Sequence, residues 1–294
     1  MKRFLLLIAL CAATHPALAA RGRVLRLQTP DDVAISALYY APPSGTTNRA
    51  PAVLFLHSLG EDRDEWGSFP SLLNQNGFAV MAIDFRGHGD STRRVTASGA
   101  QVIDHRSFGP RDYQNMLLDI NTAVDWLEEQ PNVDKDRIVL IGSSLGANLA
   151  VRYATEHTEL TGLLLFSPGM TYRDVRIDDA FPKLRRMPLR VVVSLRDTYA
   201  FESSKRLLDQ RREAGRARDF HELIVCSGSL HGAEQLKNVK ELTSKLVRWL
   251  RQILFNEEPE EPVAPTAIAP VAPPVTNATP AKPAKPYKPQ RPLP

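Results

Sequence analysis

The stretch RIVLIGSSLGANLAVRYATE, Arg137–Glu156, decides the fold. Its first five residues are a nearly unbroken apolar run, the mark of a strand buried on both faces. Ala147–Glu156 carries a helical pattern. Between them stands Gly142-Ser143-Ser144-Leu145-Gly146, a G-x-S-x-G string set on a strand-to-helix turn. Such a turn is tight enough to strain the central serine, and the flanking glycines give the room this needs. The reading places the Ser144 hydroxyl above the sheet edge. It places the Leu145 N–H at a helix N-terminus, where it can stabilise an oxyanion. Ser143 then faces the wrong way. A bare glycine-rich turn is the alternative, and the strand and helix on either side argue against it.

Working outward, further strands are expected at Val24–Thr29, Val33–Tyr40, Ala52–His57, Phe78–Asp84, Gly162–Phe166, Arg190–Leu195 and Phe220–Cys226. Helical patterns fill Trp66–Asn76, Tyr113–Glu129, Phe201–Arg212 and Gln235–Phe255. This alternation predicts an α/β fold: a mostly parallel sheet of about eight strands, flanked by helices. Such sheets bind ligands beyond the carboxyl ends of their strands.

A serine nucleophile needs a base. Of the seven histidines, His231 follows the last strand on a loop before the final helix. A carboxylate is expected at the end of the preceding strand, and Asp197 is there. Asp174, Asp178 and Asp179, after the strand before, are alternative acids. Asp197 also reads as an N-cap for the helix that follows.

Ser144, Asp197 and His231, in this order on these elements, resemble the α/β-hydrolase superfamily, over about residues 24–255. Two further strings agree. His57-Ser58-Leu59-Gly60 resembles the family's H-G-x-G loop, which implies Leu59 N–H as the second oxyanion donor and a structural His57. Ser58 stands where the family has glycine. Asp84-Phe-Arg86-Gly-His88-Gly-Asp90-Ser91 resembles the D-x-R-G-H-G-x-S turn, which packs near the site without carrying chemistry. Only Pro168–Pro188 separates the sixth and seventh runs, which implies a minimal lid. A loop over the site is expected from Ser91–Pro110. The size and layout resemble small serine esterases and dienelactone-hydrolase-like proteins, although the latter proper use cysteine where this chain has Ser144.

The ends differ from the body. Lys2 and Arg3 precede an apolar stretch, and Ala17-Leu18-Ala19 supplies small residues for cleavage. Residues 1–19 therefore read as a signal peptide, and the protein as periplasmic or secreted. Lipid attachment at Cys11 is disfavoured by Leu10. Without the leader Cys226 is the only cysteine, so no internal disulfide forms. Twelve of the 23 prolines fall in residues 256–294, a composition that reads as a disordered tail after a domain at 20–255. A solvated linker or stalk is the favoured reading of this tail, and its acidic start and basic end offer contact with the cell envelope as the alternative. Setting aside Lys2, Arg3 and a neutral tail, the body carries a net charge of +2, too balanced for a nucleic-acid surface.

The function expected is hydrolysis of a small carboxylic ester through an acyl-enzyme, with no cofactor and no metal. His88 lacks a second ligand at metal spacing. A thioesterase, amidase or acyltransferase would use the same triad. A non-catalytic envelope binding protein on a hydrolase scaffold is the alternative from a different class.

Overall fold

A computed structural model describes residues 22–44, 48–97, 99–184, 187–214, 221–239 and 241–257. The expected leader and all but the first two residues of the proline-rich tail lie outside the described residues. The main sheet holds β1 (Arg23–Gln28), β2 (Val33–Tyr40), β3 (Ala50–Leu56), β4 (Ala79–Ile83), β5 (Arg93–Thr96) and β6 (Gly99–Val102). It is completed by β7 (Val133–Ser143), β8 (Gly162–Phe166), β11 (Leu189–Ser194) and β12 (His221–Cys226). A separate hairpin pairs β9 (Thr171–Tyr172) with β10 (Val175–Arg176).

The strand order is β12-β11-β8-β7-β3-β4-β2-β5-β6, with β1 paired to β2. The strands from β12 to β4 run parallel, and β2 is antiparallel to β4. From β3 the chain proceeds outward to β4. From β7, beside β3, it proceeds the other way through β8 and β11 to β12. That reversal opens a crevice at the carboxyl ends of β3 and β7.

The apolar runs are continuous because both faces of these strands are covered. Leu54, Leu140 and Leu165 join a core built with α3 (Met116–Glu128) and α4 (Leu145–Glu156). Their neighbours Val53, Phe55, Ile141 and Phe166 join a second core, built with α1 (Phe69–Gln75) and α7 (Leu242–Phe255). Successive side chains of a strand point to opposite faces, so one run feeds two cores. In α7, Leu242, Leu246, Trp249 and Leu250 recur at helical spacing and are buried.

All eight expected strands form, but the main sheet has ten. The two extra strands, β5 and β6, lie in the segment expected to loop over the site. They form instead an antiparallel hairpin on the edge of the sheet, paired to β2. No apolar face announces them: β6 is exposed throughout, with Val102 83% accessible. The final helix is broken into α6 (Gln235–Asn238) and α7, where Glu241 adopts a left-handed backbone. The helix expected from Tyr113 is divided at Asn115 into α2 (Pro110–Gln114) and α3. Among the described residues between β8 and β11 there are only the β9–β10 hairpin and a 3-10 turn at Phe181–Lys183, so the lid is minimal.

The D-x-R-G-H-G-x-S turn is a brace. Arg86 is buried and donates to both oxygens of Asp31, at 2.6 and 2.9 Å, and to Asp119, at 2.8 and 2.9 Å. This ties the β1–β2 turn and α3 to the end of β4. Asp84 accepts from the backbone N–H of Arg63 and of Asp90, which anchors the loop after β3.

Candidate active site

Ser144 sits between β7 and α4 with φ 52° and ψ −112°, a conformation that side chains other than glycine rarely adopt. Backbone strain of this kind persists where surrounding structure over-determines it. Here the Ser144 N–H donates to Phe166 O (2.8 Å), and its carbonyl accepts from Asn148 N–H (3.1 Å). The flanking glycines are needed for space. A Cβ on Gly142 would lie 2.6 Å from Ala147 Cα, and one on Gly146 would meet the carbonyls of Leu56 and His57. The second contact also shows that α4 begins directly against the loop after β3.

The Ser144 hydroxyl donates to His231 Nε2 at 2.8 Å, and His231 Nδ1–H donates to Asp197 Oδ2 at 2.7 Å. Burial pushes the Asp197 carboxyl up, but hydrogen bonds from His231 and Ser167 outweigh it and hold it below the ordinary aspartate value. An ionised Asp197 accepts only, which fixes the proton on Nδ1 and leaves Nε2 to accept from Ser144. Asp197 also occupies the N-cap position of α5 (Thr198–Glu213), and the Ala200 N–H in the first turn helps hold its carboxyl low, so the N-cap reading stands beside the catalytic one. The alternative acids are placed otherwise. Asp174 is in the β9–β10 turn, Asp178 pairs with Arg176, and Asp179 with Arg152.

The loop Ser58–Gly60 follows β3 as expected. His57 is buried among backbone groups: its Nδ1–H donates to Ser58 O (2.6 Å), and its Nε2 accepts from Phe85 N–H (2.9 Å). Both ring nitrogens are occupied, so His57 holds the loop and has no lone pair left for a substrate. Serine fits at 58 because the left-handed backbone of this loop falls on Gly60 (φ 81°), not on Ser58. Among the described residues no hydrogen bond occupies the N–H of Leu145 or of Leu59. Ser143, as expected, faces away from the crevice. It bonds to Ser58, Glu65 and Ala233 N–H.

Three residues near the site escape sequence reasoning. Ser167, at the end of β8, is buried at φ 48°. Its Oγ accepts from Gly232 N–H and from Gln235 Nε2, both at 3.0 Å, and it bonds to Asp197. Acid and base loop are thus fastened to one hydroxyl. A serine ending a buried strand was the available signal. Tyr172, on β9, donates to Ser167 O (3.1 Å), lies beside the Ser144 hydroxyl, and turns its ring edge to His231 at 6.1 Å. Its hairpin is strapped down by Asn148, which donates to Gly169 O and Val175 O, and by Tyr199, whose hydroxyl meets both N–H and C=O of Thr171. Glu65 is the third. It lies among charged neighbours that read as a solvated turn.

Among the described residues no three His, Cys, Asp or Glu side chains gather to hold a metal, and no helix is long and apolar enough to cross a membrane. Cys226 is a buried free thiol.

Residues 47–222, more than half of the chain, match the family model of the serine aminopeptidases, S33. The chain belongs to the S33 hydrolase family. Its fold is that of the α/β-hydrolase superfamily. Relatives of this S33 chain include an uncharacterized protein of Mycobacterium tuberculosis, 29% identical over 154 residues, covering 52% of this chain and 48% of the relative. The α/β-hydrolase domain-containing protein aho-3 of Caenorhabditis elegans is 28% identical over 178 residues, 56% of this chain and 46% of its own. The S33 chain thus spans about half the length of these curated relatives. Among solved structures, the Pyrococcus furiosus esterase Pf2001 superposes with a TM-score of 0.62 at 19% identity, over 80% of this chain and 91% of that one. That likeness is one of fold.

Proposed function

We propose that this hydrolase cleaves small carboxylic esters by acyl transfer through Ser144. The observation that carries this reading is the unbroken hydrogen-bond relay from Ser144 Oγ through His231 to Asp197. In the proposed sequence, Ser144 Oγ bonds to the ester carbonyl carbon while His231 Nε2 takes the serine proton. The carbonyl oxygen becomes an oxyanion between the N–H groups of Leu145 and Leu59. The tetrahedral adduct collapses, the C–O bond to the alcohol breaks, and the proton on Nε2 passes to the departing oxygen. Water, deprotonated by His231, then attacks the acyl-enzyme; the acid leaves and the serine proton returns. Asp197 orients the imidazole and stabilises its charged form. No step calls for a metal or an organic cofactor.

The substrate side is bounded by the strapped hairpin. Removing the Tyr172 hydroxyl frees Ser167 O of its partner and loosens the wall beside Ser144. Tyr172→Phe is expected to lower kcat on p-nitrophenyl acetate about 5-fold, the value of one neutral hydrogen bond, with KM changed less than about 2-fold. Steady-state kinetics of the purified variant measure this.

A panel of p-nitrophenyl esters of increasing acyl length, with the matching p-nitroanilides and thioesters, tests the reading. Turnover of the short esters supports it. Turnover confined to anilides or thioesters would move the assignment to an amidase or thioesterase with the same triad. No turnover of any would favour the non-catalytic scaffold. The leader sequence supports a site of action outside the cytoplasm, and the tail's charge pattern an envelope contact. All the proposed reacting groups lie between Leu59 and His231, so deletion of residues 257–294 is expected to leave ester turnover within about 2-fold of the full chain, by the same assay.

A further inference from the structure

The charged turn after β3 reads Glu61-Asp-Arg-Asp-Glu65, and the last of its carboxylates is partly buried and hydrogen-bonded within the protein. Glu65 is folded back beneath the loop. Its Oε2 accepts from Ser58 N–H at 2.8 Å. Its Oε1 accepts from Ser58 Oγ at 2.7 Å and from Ser143 Oγ at 3.0 Å. The two hydroxyls are themselves 2.7 Å apart, and Ser143 Oγ accepts from Ala233 N–H at 3.0 Å. A Cβ placed on Gly232 would press on Ser143 Oγ and lie 3.4 Å from Glu65 Oε1. The carboxylate therefore joins two segments directly, and through Ser143 it reaches a third, the loop after His231.

Each segment carries a proposed reacting group one or two residues away. Ser58 precedes Leu59, the oxyanion amide. Ser143 precedes Ser144. Gly232 and Ala233 follow His231. We infer that Glu65 is a positioning residue for the acyl transfer, fixing the Leu59 amide and the His231 loop relative to Ser144 without touching substrate. This rests on the Ser144 reading above. It also accounts for Ser58: the hydroxyl that replaces the family's glycine supplies the second contact to Glu65. Ser143, in contact with Glu65, is fully buried. Burial pushes the Glu65 carboxyl above the ordinary glutamate value, and the bonds from Ser58 and Ser143 draw it back.

Donor and acceptor geometry of this kind is sensitive, since a displacement of about 1 Å can cost about 100-fold in rate. The test is kinetic, on the full chain with p-nitrophenyl acetate. Glu65→Ala is expected to lower kcat by about 10- to 100-fold with KM within about 2-fold. Glu65→Gln keeps an acceptor for Ser58 N–H and can donate to both hydroxyls, so it should retain kcat within about 3-fold. The double variant Glu65→Ala/Ser58→Ala should be no slower than Glu65→Ala alone, because the two act as one unit. Should Glu65→Ala fail to fold, Ser143→Ala decides. It cuts the tie to the His231 loop and should lower kcat about 5-fold at unchanged KM. Wild-type kcat in Glu65→Ala, or in Ser143→Ala where that variant decides, overturns the inference while leaving the Ser144 reading intact. A Glu65→Gln variant as slow as Glu65→Ala also overturns it. A wild-type enzyme that turns over no substrate removes the Ser144 reading and this inference with it.

Discussion

Ser144→Ala is expected to lower kcat on p-nitrophenyl acetate by about five orders of magnitude, while the melting temperature moves by less than about 3 °C. The rate falls because the substitution removes the only atom that becomes bonded to the acyl group. The amides of Leu145 and Leu59 stay in place, so binding and oxyanion stabilisation leave a residual rate above that of water. Stability is kept because the fold holds Ser144 through its backbone. Its N–H donates to Phe166 O and its carbonyl accepts from Asn148, and neither contact involves the hydroxyl. Alanine inherits the same φ of 52° and loses the hydroxyl's contacts with His231 and Tyr172. Enzyme assay and calorimetry on the same preparation measure both quantities. An alanine variant within 10-fold of wild type would place the chemistry elsewhere.

A second large effect concerns acid. His57 and His88 are both buried, and burial pulls their imidazoles down, His57 to about 3 and His88 to about 4, from an ordinary value of 6.5. The positions agree with this. A proton on His57 Nε2 would face the Phe85 N–H that this nitrogen now accepts. His88 donates through Nδ1 to Arg86 O, its Nε2 is buried without a partner, and its ring stacks on His105 at 3.9 Å. Because the folded-state values are depressed, the unfolded chain takes up more protons below pH 6.5. Their contribution to stability is full above that pH and is lost as pH falls toward 4 and then 3. Between pH 7 and pH 5 each histidine costs about 2 kcal/mol, so the pair costs about 4 kcal/mol. Carboxylates titrate over part of the same range, and their contribution cancels when variants are compared. His88→Phe keeps a ring in the stack and removes one titrating group. Urea unfolding at the two pH values should show the variant losing about 2 kcal/mol less than wild type. Equal losses would mean that His88 is protonated in the folded protein.

The sheet and its turns were legible for one physical reason. Strands covered on both faces must be apolar at every position, and Ala52–Leu56, Ile138–Ile141 and Gly162–Phe166 announce themselves that way. Reading the residues after each run leads to Ser144, Asp197 and His231, and the structure brings the first two within hydrogen-bond distance of the third. The β5–β6 hairpin stayed hidden because it sits on an edge, with β6 exposed throughout and β5 partly covered on one face only, whose residues are polar, so no apolar pattern marks it. The break before α7 rests on a glutamate in a left-handed backbone, and no glycine or proline marks it.

The groups that support Ser144 were illegible for a different reason. Glu65 sits among Asp62, Arg63 and Asp64, and only its distant contacts with Ser58 and Ser143 separate it from them. Tyr172 gains its place from Asn148 and Tyr199, residues on two different helices. Neither spacing nor periodicity encodes such contacts. Ser58 looked like a departure from a glycine motif. It is tolerated because the left-handed turn of that loop is carried by Gly60, and its hydroxyl is occupied by Glu65.

The central claim is that Ser144 is an activated nucleophile. Intact-mass measurement after treatment with a fluorophosphonate, followed by peptide mapping, tests it most directly. The account predicts one phosphonyl group per chain, on the peptide containing Ser144, lost in Ser144→Ala and strongly slowed in His231→Ala. An unmodified wild-type chain, or a label that persists in Ser144→Ala, would contradict it.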